Sequence, residues 1–161
     1  MIDVRFSTAI QMVLSVALAE HDGFRCTSQM LAEGLGANPS FVRTLIVPLN
    51  RDGLVVSTKG KGGGIRLGRA SDKITLRDIY CAVTEDKKLF VARSDVPARC
   101  RISANIGEFF KMITQDAEGA VLNSLESRTV AESLAEILQF DQIRQAKLGS
   151  RRPVKLERTE T

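Results

Sequence analysis

The sequence predicts a mainly α fold carrying one small β-hairpin, in which a winged helix-turn-helix unit is followed by a long dimerisation helix. Three observations lead there. Two short helical segments meet at a tight turn around residues 34–38, and the second opens on the strong start signal Asn38-Pro39. A glycine-rich, lysine-bearing tip, Thr58 to Gly63, separates two short apolar stretches. A single apolar stripe then recurs at helical spacing from about Ser103 to Ser127.

Taken in order, the first segment runs from Arg5 to Glu20. Phe6, Ala9, Ile10, Val13, Leu14, Ala17 and Leu18 fall at helical spacing, and Met12 and Val16 widen the apolar face, so this helix belongs in a core. His21-Asp22-Gly23 ends it, with His21 placed against the helix dipole rather than as a metal ligand. A short helix is expected over Ser28–Leu35 with Thr27 as its N-cap. A third runs from Pro39 to about Asp52, capped by Asn38, with Phe41, Val42, Leu45, Ile46 and Leu49 apolar and Gly53 closing it. Pro48 lies inside this segment, cannot donate to the Thr44 carbonyl, and is expected to bend the helix.

Leu54–Ser57 and Gly64–Leu67 read as strands joined by the glycine-rich tip, a β-hairpin wing. The glycines permit positive φ and a close approach of backbone to a partner. A helix from Thr75 to about Val83 follows, with Leu76, Ile79, Tyr80 and Val83 inward; Cys81 is assigned to its core face. Residues 84–102 look irregular, with Glu85-Asp86 read as a solvated turn. The stripe Ile106, Phe109, Phe110, Ile113, Ala117, Ala120, Val121 and Leu125 then spans roughly 24 residues, about 36 Å of helix. A small winged domain cannot cover that length, and pairing with a second copy is the economical way to bury it. A last helix is expected from Thr129 to about Phe140. The organisation is therefore a winged unit over 1–83, a connecting segment over 84–102, dimerisation helices over 103–146 and a basic tail over 147–161.

Composition bounds the function. The 161 residues are 43% hydrophobic and 26% charged, an ordinary globular balance that needs no metal or disulfide staple. No apolar run reaches eighteen residues and no signal peptide is read at the N-terminus, so a cytoplasmic location is expected. The net charge of +4 is unevenly distributed. Residues 39–77 hold eight basic and two acidic side chains, whereas residues 78–143 hold seven basic and eleven acidic. A basic block flanked by acidic segments points to a local polyanion-binding surface.

The chemistry assigned to that surface is recognition of double-stranded DNA. The polar first turn of the third helix (Ser40, Arg43, Thr44) is placed to enter the major groove, and Arg43 is the candidate for base readout because its guanidinium donates two hydrogen bonds to guanine O6 and N7. Lys59, Lys61 and Arg66 are assigned to phosphate, with Gly62 and Gly63 letting the wing backbone approach the duplex. The glycines do not form a nucleotide loop, because the GxxxxGK[ST] pattern is missing. No Ser/His/acid set, HExxH or paired-cysteine zinc spacing is present, so no catalytic residue and no metal ligand is assigned.

Several of these stretches together resemble a known family. They are Thr27–Ala37, Asn38–Arg43, Leu49–Val55, the wing Lys59–Leu67 and Ile74–Ile79. In this combination they are similar to the Rrf-two family of bacterial winged-helix repressors, and within it to the cluster-free, YwnA-like branch, over about residues 1–140. The resemblance implies a homodimer joined by the long helix (residues 103–127) that binds a palindromic operator and usually represses. Several relatives carry an iron–sulfur cluster on three closely spaced cysteines just before the dimerisation helix. Here Leu89–Asn105 holds Cys100 as its one cysteine, so no cluster is expected.

The sensing segment of those relatives leaves Cys100, flanked by Arg99 and Arg101, as a candidate redox thiol, since neighbouring cations favour thiolate. Cys26, which also follows an arginine just before a helix start, is the second, and the expected switch is thiol oxidation or a Cys26–Cys100 bridge within or between subunits. The alternative reading is a protein-interaction or small-molecule-sensing module on the same fold, with a pocket between the winged unit and the long helix and no thiol sensing.

Overall fold

The computed structural model describes residues 4–84 and 88–149. Its elements run α1 (Arg5–His21), α2 (Ser28–Leu35), α3 (Pro39–Arg51), β1 (Val55–Thr58), β2 (Gly64–Leu67), a 3-10 turn at Ser71–Lys73, α4 (Leu76–Thr84), α5 (Arg101–Glu126) and α6 (Val130–Gly149).

The local causes are those the sequence carries. The Thr27 side chain accepts from the Met30 amide at 3.2 Å and caps α2, and Gly36, at φ +58°, closes it in the left-handed conformation. The Asn38 side chain accepts from the Ser40 amide at 2.8 Å and caps α3. Thr75 and Asp78 exchange bonds, amide to carboxylate at 3.0 Å and amide to hydroxyl at 3.1 Å, which starts α4. β1 and β2 pair antiparallel with Val55 opposite Leu67 and Thr58 opposite Gly64.

One core holds the winged unit. Ala9, Met12, Val13 and Val16 of α1 pack with Val42, Leu45 and Leu49 of α3, with Ile65 of the wing, and with Ile79, Ala82 and Val83 of α4. Tyr80 meets Phe6 edge to face, ring centroids 5.1 Å apart. The chain leaves this core after α4, runs along α5 and comes back. The Val130 amide donates to the Ile74 carbonyl at 2.8 Å, the Leu76 amide to the Arg128 carbonyl at 2.9 Å, and an Arg77–Glu126 ion pair joins α4 to the end of α5. Val130 is fully buried, and α6 then packs on α1. The end of α5 is thus anchored in the winged unit.

Three expectations need correction. Cys81 is exposed, not core, because the buried face of α4 is taken by Ile79, Ala82 and Val83. α6 continues to Gly149, nine residues past the expected end at Phe140. Gln, Ala, Lys and Leu are good helix formers, and an Arg144–Asp141 ion pair at 2.6 Å supports that stretch, so residues 147–149 are helix rather than tail. By contrast, α3 runs to Arg51 with Pro48 buried inside it, one residue from its expected end at about Asp52. α5 begins at Arg101, two residues early, because Cys100 rather than a hydroxyl residue caps it. Glu85-Asp86 and residues 150–161 of the expected tail lie outside the described residues.

Candidate nucleic-acid interface

α3 presents its apolar side inward through Val42, Leu45 and Leu49, which turns Ser40, Arg43 and Thr44 outward, all three exposed. The Thr44 hydroxyl donates back to the Ser40 carbonyl at 3.0 Å, which commits its proton and leaves the oxygen as an acceptor. Arg43 keeps a fully exposed position one turn into the helix.

The wing is shaped by its glycines. Gly60 and Gly62 have φ of +93° and +88°, and the Gly63 amide closes the turn on the Gly60 carbonyl at 2.9 Å. Gly63 is itself buried, and a Cβ there would run into the Thr58 carbonyl oxygen. Its role is to fold the tip tightly, with Lys59, Lys61 and Gly62 left exposed on it.

Between α3 and the wing lies an open groove of about 360 Å³. Arg43 and Lys59 both line it, together with a third cation that the sequence reading did not assign, Arg25. Among the described residues no carboxylate lines it. Arg25 arrives there because the Ile65 amide donates to the Cys26 carbonyl at 2.8 Å, adding the 25–26 backbone alongside β2. Gly64 permits that approach, since a Cβ on it would come within 2.7 Å of the Cys26 carbonyl oxygen. The sequence signal was slight: one arginine before a buried cysteine, in a segment with no periodicity. Arg66 lines a neighbouring hollow with Arg25 and Glu20 rather than the groove. Lys61 lies in the turn of the wing, so the wing cations divide between the groove (Lys59), the neighbouring hollow (Arg66) and the tip (Lys61).

The two candidate thiols occupy opposite environments. Cys100 is exposed at the N-cap of α5, where the Ser103 hydroxyl and the Ser103 amide both reach its Sγ at 3.4 Å. These bonds, the hydroxyl first, then the Ser103 and Ile102 amides, lower its pKa. The expected cause, Arg99 and Arg101, is not the operative one. Cys26 is buried behind the wing, and loss of hydration raises its pKa, the reverse of the expected thiolate-favouring site.

A model of the family described as "Rrf2: Iron-dependent Transcriptional regulator" matches residues 2–136. The chain belongs to the Rrf2 family. Among proteins similar to this Rrf2 member, the HTH-type transcriptional regulator IscR of Erwinia tasmaniensis is 36% identical over 77 residues, 48% of this chain and 46% of IscR. The chain thus matches about half the length of that relative. YwnA of Bacillus subtilis, named as a candidate HTH-type regulator, is 24% identical over 132 residues, 82% of this chain and 96% of YwnA. A solved regulator-like structure from Lactobacillus plantarum superposes with a TM-score of 0.70 at 24% identity, over 91% of this chain and 98% of that one. The structure of CymR, the global cysteine regulator of B. subtilis, gives 0.61 at 22%, over 84% and 97%. At these identities the structures establish a shared fold.

The family description names iron, and the residues of this Rrf2 chain do not fit an iron–sulfur cluster. Residues 88–100 hold one thiol, Cys81 lies on α4, Cys26 is buried behind the wing, and among the described residues no three His, Cys, Asp or Glu side chains gather into a donor set. No described helix is long and apolar enough to cross a membrane.

Proposed function

We propose that this Rrf2 protein is a homodimeric, sequence-specific DNA-binding repressor that acts in the cytoplasm on a palindromic operator. One observation carries the reading: Arg25, Arg43 and Lys59 converge on a groove free of carboxylates between α3 and the wing. A polyanion is the partner such a groove suits, and a helix beside a hairpin is the arrangement that can place one element in a major groove and the other on the neighbouring backbone. In this reading Arg43 and Ser40 read base edges, Thr44 accepts from base or phosphate, and Arg25, Lys59, Lys61 and Arg66 hold phosphates, with Gly62 and Gly63 shaping the wing.

The second copy is supported by α5. It exposes Ile106, Phe109, Ile113 and Val121 along one stripe and buries no residue. Two α5 helices pairing through that stripe would set two α3–wing grooves on one duplex. Cys100 is the thiol we assign to redox response: its thiolate takes one oxygen atom from a peroxide, giving sulfenic acid and water. Cys26 has no part in this, being buried and held protonated.

The test is binding of the purified chain to its own upstream DNA across a salt series. Retarded duplex with affinity falling steeply as salt rises is expected. Equal affinity for random duplex and for every fragment of the upstream region would contradict sequence specificity.

A further inference from the structure

The junction of α4 and α5 forms a half-open cavity of about 330 Å³ that shares no lining residue with the α3–wing groove. That volume lies at the small end of ligand sites and holds a molecule of about one or two rings. Leu89, Val121 and Leu122 give it apolar walls, and Tyr80 adds an aromatic one. Its rim is fixed by the Glu118 carboxylate, which accepts from the Leu89 amide at 3.0 Å and ties the connecting segment to α5.

Two lining groups narrow the ligand class. Cys81 brings an exposed thiol and Lys88 an ammonium. An apolar slot holding one soft nucleophile and one cationic donor suits a flat carbonyl compound whose double bond is conjugated to the carbonyl. The ammonium polarises the carbonyl oxygen while the sulfur adds to the far carbon. We propose that the α4–α5 cavity is a site for small quinones, which it binds reversibly and which Cys81 then captures by addition. In that step the S–H bond breaks and a C–S bond forms at a ring carbon, and the ring π pair moves onto the carbonyl oxygen. The thiol proton goes to that oxygen, and the proton on the attacked carbon goes to the other, leaving a hydroquinone thioether. No further oxidant or reductant takes part.

The position of the cavity gives the adduct a consequence, which rests on the DNA reading above. α4 is packed on α1 and α3, and Arg51 at the end of α3 donates to the Ala82 carbonyl of α4 at 3.4 Å. A ring wedged between α4 and α5 alters the angle at which the long helix leaves the winged unit, and so the spacing of two α3 helices across a dimer.

The experiment reacts the full chain with 1,4-naphthoquinone and, separately, with iodoacetamide, and follows each cysteine by peptide mass. At Cys81 the naphthoquinone rate is expected to saturate with concentration, because binding precedes bond formation, while the iodoacetamide rate rises linearly. Leu122→Trp, which fills the cavity from a position outside the α5 stripe, is expected to remove the saturation and slow the Cys81 reaction about tenfold or more. Thr84→Trp serves as a second filling variant, and an unchanged Cys100 rate shows that α5 still forms. Linear kinetics at Cys81 in the unaltered chain, or no effect of either filled cavity, would overturn the site. Because this arm contains no DNA, its failure is separate from failure of the operator reading. Lower operator affinity of the Cys81 adduct is expected; unchanged affinity would overturn the regulatory consequence.

Discussion

α1 buries six residues in 17, whereas α5 buries none in 26. The same contrast holds for the two regions to which they belong. The winged unit builds one core from α1, α3, the wing and α4, each contributing buried apolar residues, with Val130 of α6 added to it. The α5 arm instead carries its large apolar side chains outward, Phe109 at 53% and Ile113 at 41% exposure. The charges differ as well: the groove of the winged unit gathers three cations and no carboxylate, while residues 78–143 hold more acidic than basic side chains. The first region is stabilised by burial within one chain, and its surface is shaped for an anion. The second keeps its apolar side chains on the surface, which is the observation behind the proposed pairing with a second copy.

Altering one region while leaving the other intact sharpens this contrast. The largest effect is expected from Phe109→Asp combined with Ile113→Asp. Charges in the stripe should leave the winged unit folded but release single chains, and operator affinity should drop by about 10²- to 10⁴-fold as paired engagement is lost. Light scattering and a salt-controlled binding isotherm check both halves of that statement. Next is Leu49→Ala, in the sealed core, where an emptied leucine site should cost about 2–5 kcal/mol in denaturant unfolding. Arg43→Ala should cost about 1–3 kcal/mol on the preferred operator and relax base preference, with the fold unchanged. Arg25→Ala should weaken binding to all duplexes alike and lower the salt slope by about one. The smallest effect concerns the thiols. Because its pKa is lowered, Cys100 should alkylate at pH values below the ordinary thiol range, Ser103→Ala should move that profile upward, and Cys26 should react only at higher pH.

Much of this was legible beforehand where residue types carry their own conformational instructions. Asn38-Pro39 starts α3 because a side-chain acceptor and a fixed φ act locally, and Gly60 and Gly62 turn the wing because they tolerate positive φ. The stripe of α5 was readable from its period alone. What was not legible depends on distant partners. Arg25 gains its place from the backbone bond of its neighbour Cys26 to Ile65, thirty-nine residues on. Cys81 has helical spacing compatible with a buried face, yet three neighbours on α4 already fill it. The thiol environments were set by burial in one case and by a capping serine in the other, so counting adjacent arginines gave the right direction for Cys100 from another cause and the wrong direction for Cys26.

The central claim is that two copies joined through α5 present two cationic grooves to one duplex. Mass determination by light scattering, on the free chain and on its complex with a duplex from its own upstream region, tests it most directly. Two chains in solution and two chains per duplex are predicted. A single chain that binds such a duplex with undiminished affinity would contradict the account.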